Sequence, residues 1–250
     1  MSVEDEIHVY SRAKVSRLTG ETESYDNTFF TEVIRKRELE LIEQVVTAKR
    51  PKFILDYGCG GGWFSKLLLK WDFDFVGVDV SKNMVRNAKI ICHEADFIVC
   101  DAMNLPFKDD VFDFVIGVAI LHHLDLKRAT DELKRISLFR STFLFMEPNL
   151  LNPLSAFGRK VFPIEAHTEG EKPFILEYLK LALGLAGFYV ESCFAIFFLA
   201  FPVARFLRIM RFNSPYSLVK LAYFFEYVME KMPVIRSFNS NIVAMGTIYR

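Results

Sequence analysis

The sequence lacks an excess of either charge and contains few cysteines. Lys and Arg together number 31, as do Asp and Glu, so the formal net charge over 250 residues is zero. A protein without a basic field has no general attraction for a polyanion, and we therefore expect no nucleic-acid partner. The four cysteines, Cys59, Cys92, Cys100 and Cys193, form no CxxC pair and no metal-binding spacing. Free thiols are expected, without a disulfide framework or a metal site.

Long hydrophobic runs are also absent. The longest uncharged run, SCFAIFFLAFPVA at 192–204, is shorter than the ~20 residues that a membrane-spanning helix needs. The N-terminal segment MSVEDEIHVYSR has acidic residues where a secretory signal would have Lys or Arg, and no apolar core follows it. The expectation is a cytoplasmic protein.

Apolar runs of strand length alternate with helical patterns along most of the chain. Strands are predicted at 52–56, 73–79, 96–100, 111–120, 141–146, 187–201 and 241–250, with helices at 26–46, 63–69, 81–88, 126–136 and 173–185. This order predicts an α/β protein with a Rossmann-like, seven-stranded, mostly parallel sheet and helices on both faces. The last strand is expected to close one edge of the sheet.

The same pattern divides the chain into four segments. We predict an N-terminal helical arm at 1–50, a cofactor-binding core at 51–201, a helical lid inserted at 202–238, and the last core strand at 239–250. The insertion has basic residues on one arc of a helix, at Arg205, Arg208 and Arg211. Such a helix either packs as a lid or makes peripheral membrane contact through 202–236.

A glycine-rich turn follows the first predicted core strand, in the stretch FILDYGCGGGWF at 53–64. Glycine allows turn conformations that other residues avoid, and it lets a ligand approach the main-chain N–H groups at a helix start. Asp79 ends the next strand about twenty residues later, where a carboxylate can accept both ribose hydroxyls of a nucleotide. Because strand ends of a parallel sheet meet at one edge, Asp56, Asp79, Asp101 and the histidines after strand four are expected to converge.

The turn differs from a nicotinamide-dinucleotide fingerprint at two positions. Trp63 stands where GxGxxG requires Gly or Ala, and Asp56 suits a cationic group better than a pyrophosphate. A ligand with an adenine, a ribose and a cationic tail fits these residues. An NAD-type oxidoreductase and a non-catalytic cofactor-binding or membrane-associated protein remain the alternatives.

Four stretches of the chain resemble the class I S-adenosylmethionine-dependent methyltransferases with a DxGxGxG turn: LDYGCGGG, VGVDVSKNM, DAMNLPFKDDVFDFV and LHHL. The resemblance implies that S-adenosyl-L-methionine is the cofactor. It places Asp56 and Gly58 to Gly62 at the methionine part, Asp79 at the ribose, and Asp101 and Ala102 at the adenine. Residues 118–123 would border the methyl group. The implied cofactor-binding set is Asp56, Gly58, Cys59, Gly60, Gly62, Asp79, Val80, Asp101, Ala102 and Val118.

Three histidines are candidates for a general base, which methyl transfer needs only if the acceptor must lose a proton. They are His122, His123 and His167. One of the adjacent pair is expected to be a buried, hydrogen-bonded group and the other a wall of the acceptor pocket. Asp113 is expected to be structural, whereas Glu147 either contacts the substrate or organises its loop.

The acceptor is expected to be a small or lipid-like molecule, because the lid is rich in Phe, Tyr and Met. O-methylation is the expected reaction. Tyr10 and Tyr25 are candidates to close over the cofactor. The sequence does not indicate an oligomeric state.

Overall fold

The computed structural model describes residues 29–161, 174–198, 216–232, 235 and 237–249. His167, Arg205, Arg208, Arg211, Tyr10 and Tyr25 lie outside these residues. The strands are β1 (Ile54–Tyr57), β2 (Phe75–Asp79), β3 (Asp96–Val99), β4 (Phe112–Val118), β5 (Ser137–Pro148), β6 (Phe188–Ile196) and β7 (Asn241–Ile248). The helices are α1 (Phe29–Lys49), α2 (Ser65–Lys70), α3 (Lys82–Ile91), α4 (Leu126–Ile136), α5 (Pro153–Val161), α6 (Leu176–Leu185) and α7 (Tyr216–Lys231).

The strands form one seven-stranded sheet in the order β3-β2-β1-β4-β5-β7-β6. Strands β1 to β5 pair in parallel, whereas β7 is antiparallel to both of its neighbours. The predicted Rossmann-like, mostly parallel sheet is confirmed. The prediction that the last strand closes an edge was wrong, because β7 lies between β5 and β6. Its own sequence gives no sign of this position, since an inserted strand and an edge strand can share the same apolar pattern.

The centre of the sheet is buried on both faces. All four residues of β1 are buried, and β4 has the same character over most of its length. Two apolar cores result, one on each face: the first includes Ile54, Phe64 and Ile116, and the second includes Leu55, Tyr57 and Val115. A parallel sheet covered by helices on both faces needs this nearly continuous apolar composition.

Helix α4 passes into β5 without a loop, at Ile136 and Ser137. The sequence has no glycine at this junction, and the chain instead takes a left-handed conformation at Arg140, with φ 65°. The register between β4 and β5 shifts between Phe112 and Phe114. The start of β5 is therefore irregular.

A partly buried polar network anchors the chain beyond the carboxyl ends of β5 and β6 and the amino end of β7. The Asn152 amide donates to the carbonyls of Phe198 (2.9 Å) and Phe238 (2.8 Å). The Glu226 carboxylate of α7 accepts from the Phe198 N–H at 2.7 Å. Helix α7 is thereby held at the same edge of the sheet as the glycine-rich turn. Among the described residues, no helix combines the length and hydropathy that crossing a bilayer requires.

Candidate active site

The glycine-rich turn leaves β1 at the carboxyl edge of the sheet. Gly58, Gly60 and Gly62 all have positive φ, at 74°, 50° and 82°. A Cβ at Gly62 would lie 2.8 Å from Cα of Ala88, so this glycine lets the turn pack against α3. A Cβ at Gly60 would meet no atom of the described residues within 4 Å. Gly60 therefore presents its face to open space, where a ligand can approach the main chain.

Asp79 connects the glycine turn to the start of α3. Its Oδ2 accepts from the N–H of Gly60 at 3.0 Å, and its Oδ1 accepts from the N–H of Ser81 at 2.8 Å. Ser81 caps α3, as the sequence predicts, by accepting from the Met84 N–H. Burial raises the pKa of Asp79 to about 6, although both main-chain hydrogen bonds oppose the rise. The carboxylate is partly exposed and retains acceptor capacity, because each carboxylate oxygen has two lone pairs.

Asp56 lies beneath the turn and is buried, with 4% of its surface exposed. Its Oδ2 accepts from the Ser65 hydroxyl at 2.5 Å. Burial raises the pKa of Asp56 to about 7, the Ser65 hydrogen bond opposes the rise, and the Asp79 charge adds to it. A nearby cation would stabilise the ionised form of this buried carboxyl group and lower its pKa. Ser65, which the sequence analysis did not select, follows Asp56 by nine residues on the helix after the turn.

A second turn carries Asp101 and Ala102 after β3. The Asp101 Oδ1 accepts from the N–H of Met103 at 2.8 Å. The carbonyl of Ala102 accepts from the buried Tyr57 hydroxyl at 2.8 Å. Burial raises the pKa of Tyr57 well above its usual value, so the hydroxyl remains a donor. Tyr57, also absent from the predicted set, therefore ties this turn to the end of β1.

The loop after β4 is held by Glu147, which lies near the end of β5. Glu147 is 1% exposed. Its Oε1 accepts from the N–H groups of Ile120 (3.0 Å) and Leu121 (2.7 Å). Its Oε2 accepts from the His122 N–H at 3.3 Å and lies 2.8 Å from Nδ1 of His122. Of the two roles considered for Glu147, the structure supports organisation of the loop.

The structure distinguishes the two adjacent histidines. His122 is 7% exposed, whereas His123 is partly exposed. Their ring centroids are 3.9 Å apart. Asp113, as predicted, has a structural role: it accepts from the N–H groups of Lys52 (2.8 Å) and Phe53 (3.0 Å) at the amino ends of the strands.

The predicted cofactor residues lie on adjacent strand ends. Gly58 and Cys59 both donate their N–H to the carbonyl of Val78 in β2, at 3.0 and 2.9 Å. Cys59 is buried, and burial raises its pKa well above the usual value, so its side chain acts in packing. Val80 and Val118 are partly exposed at the ends of β2 and β4. The carboxyl edge of the sheet is therefore bordered by four features: the glycine-rich turn, Asp79, the turn at Asp101 and the loop after β4.

These residues fit an adenosyl ligand with a cationic tail. The Gly60 main chain is open to approach, Asp79 retains acceptor capacity for hydroxyl groups, and two carboxyl groups with raised pKa values suit a positive charge. A depression of about 350 Å³ at the opposite edge includes Phe53, Phe75 and Asp96 among its lining residues. It lies at the amino ends of the strands, away from these groups.

Residues 55–140 match the family model described as a methyltransferase domain. A crystal structure of an S-adenosylmethionine-dependent methyltransferase from Archaeoglobus fulgidus aligns with a TM-score of 0.55 and 19% identity, covering 83% of this chain and 93% of that one. This chain contains a methyltransferase domain and has the fold of an S-adenosylmethionine-dependent methyltransferase. S-adenosylmethionine is its cofactor.

Two sequence relatives extend the comparison. The methyltransferase is 25% identical over 167 residues to an uncharacterised protein of Methanocaldococcus jannaschii, a match covering 67% of this chain and 72% of that one. It is 37% identical over 89 residues to the Arabidopsis thaliana tRNA (carboxymethyluridine(34)-5-O)-methyltransferase, a match covering 33% of this chain and 20% of the Arabidopsis protein. The chain thus matches only a fifth of that tRNA enzyme's length.

The tRNA relatives overturn the expectation that nucleic acid is not a partner. Relatives named as tRNA methyltransferases include proteins of Arabidopsis, yeast and mouse. The expectation was based on zero net charge, which describes the whole chain and not the surface around one site. A neutral protein can still bind RNA through local groups, by stacking and by hydrogen bonds to bases.

Proposed function

We propose that the methyltransferase transfers the methyl group of S-adenosylmethionine to an oxygen atom of an acceptor bound beside residues 118–123. The observation that carries this proposal is the contact between the loop after β4 and the glycine-rich turn. Ile120 packs over the glycine turn so closely that a Cβ on Gly58 would lie 2.8 Å from its side chain. The loop predicted to border the methyl group is therefore in direct contact with the turn predicted to hold the methionine part.

The cofactor supplies a methyl group already activated by its sulfonium. The new bond forms between the acceptor oxygen and the methyl carbon as the bond from that carbon to sulfur breaks, and S-adenosylhomocysteine leaves. The residues of the chain contribute by alignment, because holding two reactants at near-attack distance removes most of the entropic cost of the encounter. The short hydrogen bonds around Glu147 and Asp79 are suited to this role.

We propose a carboxylate oxygen as the first acceptor class. A carboxylate has no proton to lose, so its methylation requires no base. This fits a site in which His122 is buried and its Nδ1 faces Glu147 at 2.8 Å. For a hydroxyl acceptor, His123 is the better candidate to take the proton, since its ring is partly exposed.

The proposed carrier of that oxygen is a tRNA nucleoside. The support comes from relatives whose names specify methyl transfer to oxygen in tRNA, at 33 to 39% identity over 81 to 89 residues. A small apolar acceptor is the second candidate. Helix α7 is anchored at the carboxyl edge by Glu226. It exposes apolar side chains that such a molecule could contact, namely Leu221, Phe224, Phe225 and Val228.

The test is transfer of a radiolabelled methyl group into cell extract divided into RNA, metabolite and lipid fractions. We expect label in small RNA, sensitive to ribonuclease and released as methanol by mild alkali, which identifies a methyl ester. Label that resists alkali would exclude the carboxylate acceptor, and label confined to metabolites or lipid would exclude tRNA. Asp79→Ala serves as the control that should lose labelling in every fraction.

A further inference from the structure

We propose that Glu147 is the positioning residue of the methyl-transfer site, acting through residues 120–122 and the His122 ring. The proposal rests on the proposed function, because it assigns a task within that site. The hydrogen bonds of Glu147 go to residues 120–122. Glu147 acts on the methyl-transfer site through the loop whose N–H groups it binds.

The hydrogen-bond geometry determines the chemical form of this pair. Three main-chain N–H groups and the Nδ1 of His122 face the two oxygens of Glu147, at 2.7 to 3.3 Å. A carboxylate has about four lone-pair sites, so these four contacts use its full acceptor capacity. A proton on Glu147 would displace one of the donors. The arrangement therefore requires an ionised Glu147 and a proton on Nδ1 of His122.

The loop needs such an anchor because its backbone is not self-supporting. Ala119 has a left-handed conformation, with φ 56°. A single 3-10 turn, Leu121–His123, follows and has no side-chain cap at its start. The first N–H groups of a helical turn have no partner within the turn, and Glu147 accepts from them in place of a cap.

The loop transmits this anchoring to the cofactor side. The side chain of Ile120 occupies the space above two glycines, and a Cβ on either Gly58 or Gly117 would lie 2.8 Å from it. Movement of Ile120 would therefore alter the packing of the glycine turn. Glu147 thus fixes both the orientation of His122 and the wall against which Gly58 packs.

The test compares Glu147→Gln with Asp113→Asn as a matched control. Each exchange replaces a carboxylate that accepts main-chain hydrogen bonds, and Asp113 does so at the opposite edge. We expect both variants to melt at lower temperature. Only Glu147→Gln should raise the dissociation constant for S-adenosylhomocysteine, by five-fold or more in calorimetry, while Asp113→Asn stays within two-fold of wild type. Equal, near-wild-type affinity in both variants would overturn the proposal.

Two further measurements remain decisive if Glu147→Gln does not fold. Nitrogen-15 NMR of the wild-type histidine rings should show His122 protonated at Nδ1, and a ring protonated only at Nε2 contradicts the proposal. Ile120→Ala keeps the buried carboxylate but removes the contact with the turn, and should also weaken S-adenosylhomocysteine binding. A wild-type protein that binds the cofactor yet labels no fraction would refute the proposed function alone, since these readouts do not require an acceptor.

Discussion

Binding of S-adenosylmethionine should release close to one proton near pH 6.5. In the free protein the pKa values of Asp56 and Asp79 are about 7 and about 6. At pH 6.5 these values correspond to about three quarters of a proton on Asp56 and about one quarter on Asp79. The sulfonium and ammonium groups of the ligand favour the ionised carboxylates, so binding should expel both fractions. At pH 8 the same arithmetic gives release of about a tenth of a proton.

The same raised pKa values make the stability of the ligand-free protein depend on pH. Both pKa values are raised above the unfolded value near 3.8, so each group contributes stability that is present at low pH and lost as pH rises through the folded pKa. The free energy of unfolding should therefore fall between about pH 4 and pH 7 from these two groups. Saturating cofactor should flatten that dependence. Tyr57 and Cys59 contribute nothing in this range, because burial raises the pKa of each well above its usual value.

Calorimetric titration in buffers of different ionisation enthalpy measures the proton release directly. Asp56→Asn should reduce the release at pH 6.5 to about one quarter of a proton, the share of Asp79. Asp113→Asn should leave it unchanged, because Asp113 lies at the other edge of the sheet. A wild-type release near zero at pH 6.5, or one equally large at pH 8, would refute the reasoning.

Three further outcomes are expected. Gly62→Ala should lower the free energy of unfolding by about 2 to 4 kcal/mol in chemical denaturation, through strain at positive φ and a clash with Ala88, whereas Gly184→Ala in α6 should cause no loss. Asp79→Ala should weaken cofactor binding by about 1.5 to 3 kcal/mol in calorimetry, and unchanged affinity would remove this residue from the site. Asn152→Ala should cost about 1 to 3 kcal/mol of stability without changing cofactor affinity, because two partly buried carbonyls lose their donor. Altered affinity would contradict this assignment.

The parallel half of the sheet could be predicted because its signals are local. Strands β1, β2 and β4 are mostly buried apolar runs. Helices α3 and α4 begin with side-chain caps, at Ser81 and Asp125. Helix α4 has the predicted bounds, Leu126–Ile136. The glycine turn, Asp79 and Asp101 were expected to converge, because parallel connections bring successive strand ends to one edge. The family resemblance of these stretches then implied the cofactor.

The antiparallel part could not be placed in the same way. Strand β7 follows β6 in the chain yet lies between β6 and β5, and this choice depends on pairing between segments about a hundred residues apart. Helix α5 was not predicted either. Its start depends on Asn152, whose Oδ1 accepts from the Ser155 N–H at 2.6 Å while its amide binds two distant carbonyls.

The expectation of no nucleic-acid partner was wrong because it was drawn from composition. Zero net charge is a sum over the chain and carries no information about where the charges lie, so it could not exclude a nucleic-acid partner. The role of Glu147 shows the same limit at the scale of one side chain. An acidic residue at the end of a buried strand indicates a functional or structural role. The role of Glu147 depends on four hydrogen-bond donors that belong to another loop.

Local backbone chemistry and the succession of strands and helices along the chain were thus readable from the residues alone, including where glycines form turns and where acids end strands. The folded chain decided the rest. It placed β7 inside the sheet, buried Asp56 enough to raise its pKa to about 7, and put Glu147 against His122. The reason is physical, since hydrogen bonds and desolvation depend on which distant segments come together, and no local pattern records that choice.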